Sequence, residues 1–97
     1  MTDQSNVDLS TVQTPAETAL AGLIVSSLQL EVTAAGIEPE ARLFGEGLGL
    51  DSIDALELAL AISRTYGFEL RSDDERNRRI FASLRSLSSH VEAHRTK

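Results

Sequence analysis

Apolar positions recur at helical spacing over several stretches of this chain, and each stretch is preceded by a start signal. Leu20, Leu23, Ile24 and Leu28 fall on one face of a helix. Ahead of them, Thr14-Pro15-Ala16-Glu17 offers a capping threonine, a proline at the first helical position and a glutamate that completes a capping box. This predicts a first helix over about residues 15–31, stopped by Gly36 and Pro39. Residues 55–62, ALELALAI, are apolar except for Glu57, and Asp51-Ser52-Ile53-Asp54 opens that helix. Asp51 is its expected cap, Asp54 suits the positive end of the dipole, and Gly67 ends it. Tyr66, Phe68 and Leu70 alternate with Gly67 and Glu69, but so short a run cannot make a sheet alone, so an extended connector is predicted. Ser72-Asp73-Asp74-Glu75 is another capping box, starting a short helix to about Arg79, after which Ile80 and Phe81 return to the core. Ser83 caps a last helix with Leu84, Leu87 and Val91 on one face. The prediction is an all-α four-helix bundle, three longer helices and a short third one, with a long loop between the first and second.

Residues 1–13 show no periodicity and read as a flexible tail, leaving 14–95 as the domain. The connection over residues 32–50 is unusual, since a compact domain seldom keeps so long a link unless it packs or works. Ile37, Leu43, Phe44, Leu48 and Leu50 are positioned to pin it across the helices. A second helix apolar nearly all round is either wholly internal or faces a partner or ligand on its outer side, and a short chain favours the latter.

At 97 residues and 10.5 kDa, there is chain enough for one small core. No apolar run reaches the ~18 residues of a membrane span. The polar, acidic start does not read as a secretory signal, so the expected compartment is the cytoplasm. With no cysteine, disulfides, thiolate metal sites and cysteine nucleophiles are excluded. The net charge of −6 is unevenly spread. Residues 1–57 carry ten acids and a single base, Arg42, for −9; residues 58–97 carry five acids and eight bases, for +3. The acidic half repels nucleic acid and attracts a basic protein surface.

Gly49-Leu50-Asp51-Ser52-Ile53-Asp54 places a hydroxyl where a glycine-bearing loop meets a helix N-terminus, whose free N–H groups and dipole favour an attached phosphate. The plainer alternative is that Ser52 helps to cap the helix. Residues 48–62, LGLDSIDALELALAI, resemble the attachment segment of acyl carrier proteins, in which the serine of an Asp-Ser-Leu/Ile motif bears 4′-phosphopantetheine. Leu48, Gly49, Asp51, Ser52, Ile53, Asp54, Leu56, Glu57 and Leu58 carry the likeness in register, and the helix order agrees loosely from about residue 15 to residue 94.

The resemblance implies a non-catalytic acyl carrier domain. Ser52, flanked by Leu50, Asp51 and Ile53, would be modified by a phosphopantetheinyl transferase with Mg²⁺ and coenzyme A. The arm's thiol would carry acyl groups as thioesters, presented at high effective concentration to successive enzymes of ketosynthase, acyltransferase or acyl-ligase type. Asp51, Asp54 and Glu57 recur every three residues and form an acidic edge for basic partner surfaces, or else a solvated helix face. Ile53 is expected to stay exposed and insert into partners, its alternative being a core contact. Leu56, Leu60 and Ile62 are expected to face the first and last helices and line a pocket for the acyl cargo, where each buried methylene contributes ~0.8 kcal/mol. The chain is expected to be a monomer that binds no nucleic acid.

Arg71, Arg76, Arg78 and Arg79 depart from fatty acid carriers, which are usually acidic in this region. They suggest a dedicated carrier of polyketide, aryl-polyene or specialised-lipid assembly, or simply a solvated basic face. Leu-Asp-Ser in place of Gly-Gly-x-Ser favours acyl over aminoacyl cargo. Gly45-Glu46-Gly47-Leu48-Gly49 is no nucleotide loop, because no strand precedes it and no Lys-Ser/Thr follows. Ser52 lacks the Gly-x-Ser-x-Gly elbow of hydrolases. His90 and His94 sit one turn apart in the last helix without a third metal ligand nearby. The competing function is an unmodified helical adaptor that binds a partner through the acidic second helix.

Overall fold

A computed structural model describes residues 12–44, 49–71 and 78–97. Three helices carry the core: α1 (Pro15–Leu28), α2 (Ser52–Tyr66) and α3 (Leu84–His94), with single 3-10 turns at Ala34–Gly36 and Ile80–Ala82. Among the described residues there is no strand, only isolated bridges between Arg42 and Ser83 and between Phe44 and Leu50. The short helix expected from Ser72 falls mostly on 72–77, and the tail mostly on 1–11, both outside the described residues; so is Leu48.

Each helix starts where its capping residues say it should. Thr14 Oγ1 accepts from the Glu17 N–H at 3.1 Å while Glu17 Oε1 accepts from the Thr14 N–H at 2.9 Å. Asp51 and Asp54 make the same reciprocal pair at the head of α2, and Ser83 and Ser86 at the head of α3. These boxes satisfy N–H groups that a helix leaves orphaned. The end of α1 differs from expectation. It stops at Leu28, three residues before the expected boundary, because Gln29 turns into the left-handed region at φ 54°. The Leu30 N–H then reaches back to the Val25 carbonyl at 3.0 Å, and Leu30 packs against the core.

The core is drawn from all three helices: Leu20 and Ile24 of α1, Leu58 and Ile62 of α2, and Leu84, Leu87 and Val91 of α3 are fully buried. This corrects the expected orientation of α2. Leu56 and Leu60 are 53% and 51% exposed, so they do not face the other helices; of the three supposed pocket residues, Ile62 alone points inward. The reason is rotational. Residues two apart on a helix lie about 200° apart, so once Leu58 and Ile62 are in the core, Leu56 and Leu60 must look outward.

The connection between α1 and α2 is laced onto α3. Ile37, Pro39, Leu43 and Leu50 are buried and Phe44 is half-buried. The Pro39 carbonyl accepts from the Arg85 N–H at 2.8 Å, and the Leu43 N–H donates to the Ala82 carbonyl at 3.2 Å. The Arg85 guanidinium binds Glu17 at 2.8 Å, Glu40 at 3.0 Å and the Val12 carbonyl at 3.0 Å, tying the first turn of α1 and the connection to one side chain of α3. Glu17 is buried, and the hydrogen bond from Arg85 holds its carboxyl below the usual glutamate range.

Candidate functional site

Ser52 is the first residue of α2 and is exposed. Its position follows from the residues before it. Gly49 takes a left-handed φ of 75°, which a side chain would resist, and Leu50 turns down into the core beside Phe44. Asp51 then caps the helix: its Oδ1 accepts from the Asp54 N–H at 3.0 Å, and Asp54 Oδ2 accepts from the Asp51 N–H at 3.0 Å. Capping is therefore done by carboxylates on either side of Ser52. The Ser52 hydroxyl makes no hydrogen bond to any described residue.

That hydroxyl borders an open cleft of about 620 Å³ between α2, the connection and the 3-10 turn before α3. Phe44, Leu50, Ala55 and Phe81 give it an apolar wall, in which the rings of Phe44 and Phe81 meet edge to face at 6.2 Å. Arg42 and Arg78 line it as well. The cleft thus joins a free hydroxyl, an apolar wall and two cations. Leu56 and Ile62 take no part in it, while Leu60 lines a separate groove of about 220 Å³ with Ser27, Glu57 and Arg64.

Outside the cleft, α2 presents a second kind of surface. Ile53 is 67% exposed, as expected, and with Leu56 and Leu60 it makes an apolar stripe at i, i+3 and i+7. Asp54 and Glu57 lie beside the stripe in sequence, Asp54 half-exposed and Glu57 exposed. Sequence reasoning placed Leu56 and Leu60 on the wrong side of this helix, and it left Arg42, Phe44, Arg78 and Phe81 out of the site. One signal for Arg42 was available: it is the lone base among the first 57 residues.

No histidine serves Ser52 as a base. His90 and His94 stack on each other at 4.1 Å and on Phe68 at 5.8 and 6.0 Å. Phe68 follows the far end of α2, roughly 20 Å along the helix from Ser52. Burial, then the charge of His94, pushes the His90 pKa down, as fits a ring packed on an aromatic. Among the described residues no group of three or more His, Cys, Asp or Glu side chains is placed to hold a metal ion, and no helix is long and apolar enough to cross a membrane.

Comparison with known proteins places this arrangement. Acyl carrier proteins of two Nitratidesulfovibrio vulgaris strains, Miyazaki F and DP4, are each 46% identical to this chain over 46 residues, which is 47% of this chain and 59% of theirs. The matched stretch thus spans little more than half the length of those relatives. The fold is similar, with a TM-score of 0.65 and 25% identity, to a chain in the crystal structure of an engineered Bradyrhizobium japonicum glycine:[carrier protein] ligase complexed with carrier protein from Agrobacterium tumefaciens and ATP; the match covers 81% of this chain and 99% of that one. The family model of the phosphopantetheine attachment site matches residues 18–75, more than half of the chain and the whole of α2 within it, and the chain belongs to that family.

Proposed function

We propose that this chain is an acyl carrier protein whose 4′-phosphopantetheine arm is joined to Ser52. One observation carries the assignment to that residue: Asp51 and Asp54 do the capping, so Ser52 heads the helix with an exposed hydroxyl that no described group engages. The surroundings fit the group. An arm with a phosphate at its root and a chain beyond it meets two arginines and an apolar wall in the adjoining cleft. When attached, the arm supplies the terminal thiol on which acyl groups ride as thioesters.

The chain's own part in loading is to present Ser52 Oγ to a phosphopantetheinyl transferase. The oxygen bonds to the phosphorus of the pantetheine phosphate of coenzyme A and the pyrophosphate linkage breaks. Adenosine 3′,5′-bisphosphate leaves, and the hydroxyl proton passes to the transferase. Asp51 Oδ1 is committed to the helix N-terminus, where it accepts from the Asp54 N–H.

Partners dock on the outer face of α2 in this reading. Ile53, Leu56 and Leu60 supply the apolar contact, and Asp51, Asp54 and Glu57 steer basic surfaces toward it, acting on encounter rate more than on affinity. The acyl cargo packs on Phe44, Leu50, Ala55 and Phe81 beside the serine, not on Leu56 and Leu60. Acyl-ligase partners are supported by the similar fold seen with a carrier protein ligase; ketosynthases and acyltransferases complete the set. The arginines between 71 and 79 favour a carrier of polyketide, aryl-polyene or specialised-lipid assembly over the general fatty acid carrier. The domain spans residues 14–95.

Co-expression with a broad-specificity transferase, followed by intact-mass and peptide mapping, tests the assignment. One phosphopantetheine should appear on the peptide containing Ser52 and none on Ser52→Ala. Repeated recovery of the unmodified mass from wild type would leave the adaptor reading in its place.

A further inference from the structure

Arg42 and Arg78 come from distant parts of the chain and meet only in the fold, at the cleft beside Ser52. Their placement runs against the charge of the protein. The net charge is −6, and Arg42 is the sole base in the first 57 residues, yet this cleft gathers two guanidinium groups against the single carboxylate of Asp51. That carboxylate is already committed to capping α2. Neither arginine pairs with a carboxylate among the described residues. Arg42 is also held at its root: it bridges to Ser83, and the next residue, Leu43, bonds Ala82 across the cleft. Arg78 leads into the 3-10 turn that forms the opposite wall.

Two arginines that line one cleft with an apolar wall and a free hydroxyl suit an anion that is covalently continuous with that hydroxyl. We propose that Arg42 and Arg78 bracket the phosphodiester carried on Ser52 and lay the root of the arm over the cleft. The inference rests on Ser52 as the attachment point and adds to it a docked state of the arm. Without the two cations, a phosphodiester at this position would lie close to Asp51 and Asp54 with only backbone N–H groups to offset the repulsion. The arginines change the sign of that balance.

Apo and fully modified protein, their state fixed by intact mass, are compared by thermal unfolding at low salt and at ~1 M salt, where the screening length falls to about 3 Å. Modification of wild type should raise the midpoint by about 2–6 °C at low salt, and the rise should vanish at high salt. In R42Q/R78Q, whose exposed side chains leave the apo fold intact, the rise should be lost or reversed; R64Q, in the other groove, should keep it. The guanidinium Nε–H signals of the wild type give a second readout that needs no modified variant. Those of Arg42 and Arg78, assigned from the apo single variants, should shift on modification and return toward their apo positions with salt. Complete modification with no midpoint change and no shift of these signals, or a rise that persists in R42Q/R78Q, overturns the bracket while Ser52 stands. Absence of any mass gain overturns the attachment itself, so the two failures are told apart.

Discussion

At its first turn α2 is closed by two neighbouring carboxylates, and at its last turn by residues from beyond α3. Asp51 and Asp54 exchange hydrogen bonds with each other's N–H groups and leave the next hydroxyl, on Ser52, facing an open cleft. At the other end the Tyr66 carbonyl accepts from the N–H groups of both Thr96 and Lys97, at 2.9 and 3.2 Å, and the Gly67 carbonyl accepts from the Thr96 hydroxyl at 2.6 Å. The Arg64 carbonyl takes the Lys97 ammonium, and the Arg95 guanidinium covers the Tyr66 ring at 4.8 Å. Both ends satisfy orphaned groups, but one spends residues 96 and 97 in doing so. The other uses two local carboxylates and leaves its surface free. The difference is that capping at the first end falls to residues other than Ser52, so its hydroxyl is left uncommitted.

The largest expected effect concerns the wall of the open end. Arg85 holds Glu17, Glu40 and the Pro39 carbonyl together, and so fixes the connection that supplies Arg42 and Phe44 to the cleft. Glu17→Ala removes a buried carboxylate, its capping bond and its ion pair; with Arg85 about a third exposed and still able to reach Glu40 and water, the cost should be about 3 kcal/mol. The pH dependence has a definite sign. Glu17 titrates lower in the fold than its ordinary value near 4.5, chiefly through the Arg85 hydrogen bond. Its contribution is therefore complete above that value and is lost as pH falls through the lowered one. Urea unfolding of wild type and Glu17→Ala should show a gap that is constant near neutrality and narrows below pH ~4.5. A gap that stays constant into acid would mean the pair does not hold this wall.

At the sealed end, Gly67 has φ 76°, and a Cβ there would run into the Thr96 side chain and press on Lys97. Gly67→Ala should cost roughly 1–2 kcal/mol for the left-handed backbone, with the last residues pushed off α2. Faster amide exchange at Thr96 and Lys97 in the variant is the signature; unchanged exchange would show that the tail does not seal this terminus.

How much of this was legible follows the range of the interactions. The starts of α1, α2 and α3 could be read because a capping box is written within four consecutive residues. The end of α1 could not, since Gln29 adopts a conformation that its side chain does not advertise. The rotation of α2 was misread for Leu56 and Leu60 because a helix apolar on most sides fits its neighbours in more than one orientation; packing chose Leu58, Ala59 and Ile62. Ser52 was visible through its flanks, whereas the cleft beside it was not. Phe44 meets Phe81, and Arg42 shares a wall with Arg78, only through tertiary contacts. Glu17 illustrates both cases at once: its cap was local and evident, but its ion pair with Arg85, 68 residues away, was not.

The smallest expected effect bears most directly on the comparison. If the open end is open because Asp51 does the capping, Asp51→Ala and Ser52→Ala should separate cleanly although the residues are adjacent. Asp51→Ala removes the acceptor for the Asp54 N–H and should cost ~1 kcal/mol, or about 4–8 °C in a domain of this size. Ser52→Ala removes a hydroxyl with no described partner, and in the unmodified protein should leave the midpoint within about 1 °C of wild type. Thermal unfolding of the two apo variants beside wild type decides it. Equal losses would mean the serine shares the cap, so that modifying it would cost the helix its start. A near-zero loss for Ser52→Ala, beside a clear loss for Asp51→Ala, means the hydroxyl can be taken up by another group at no expense to the fold.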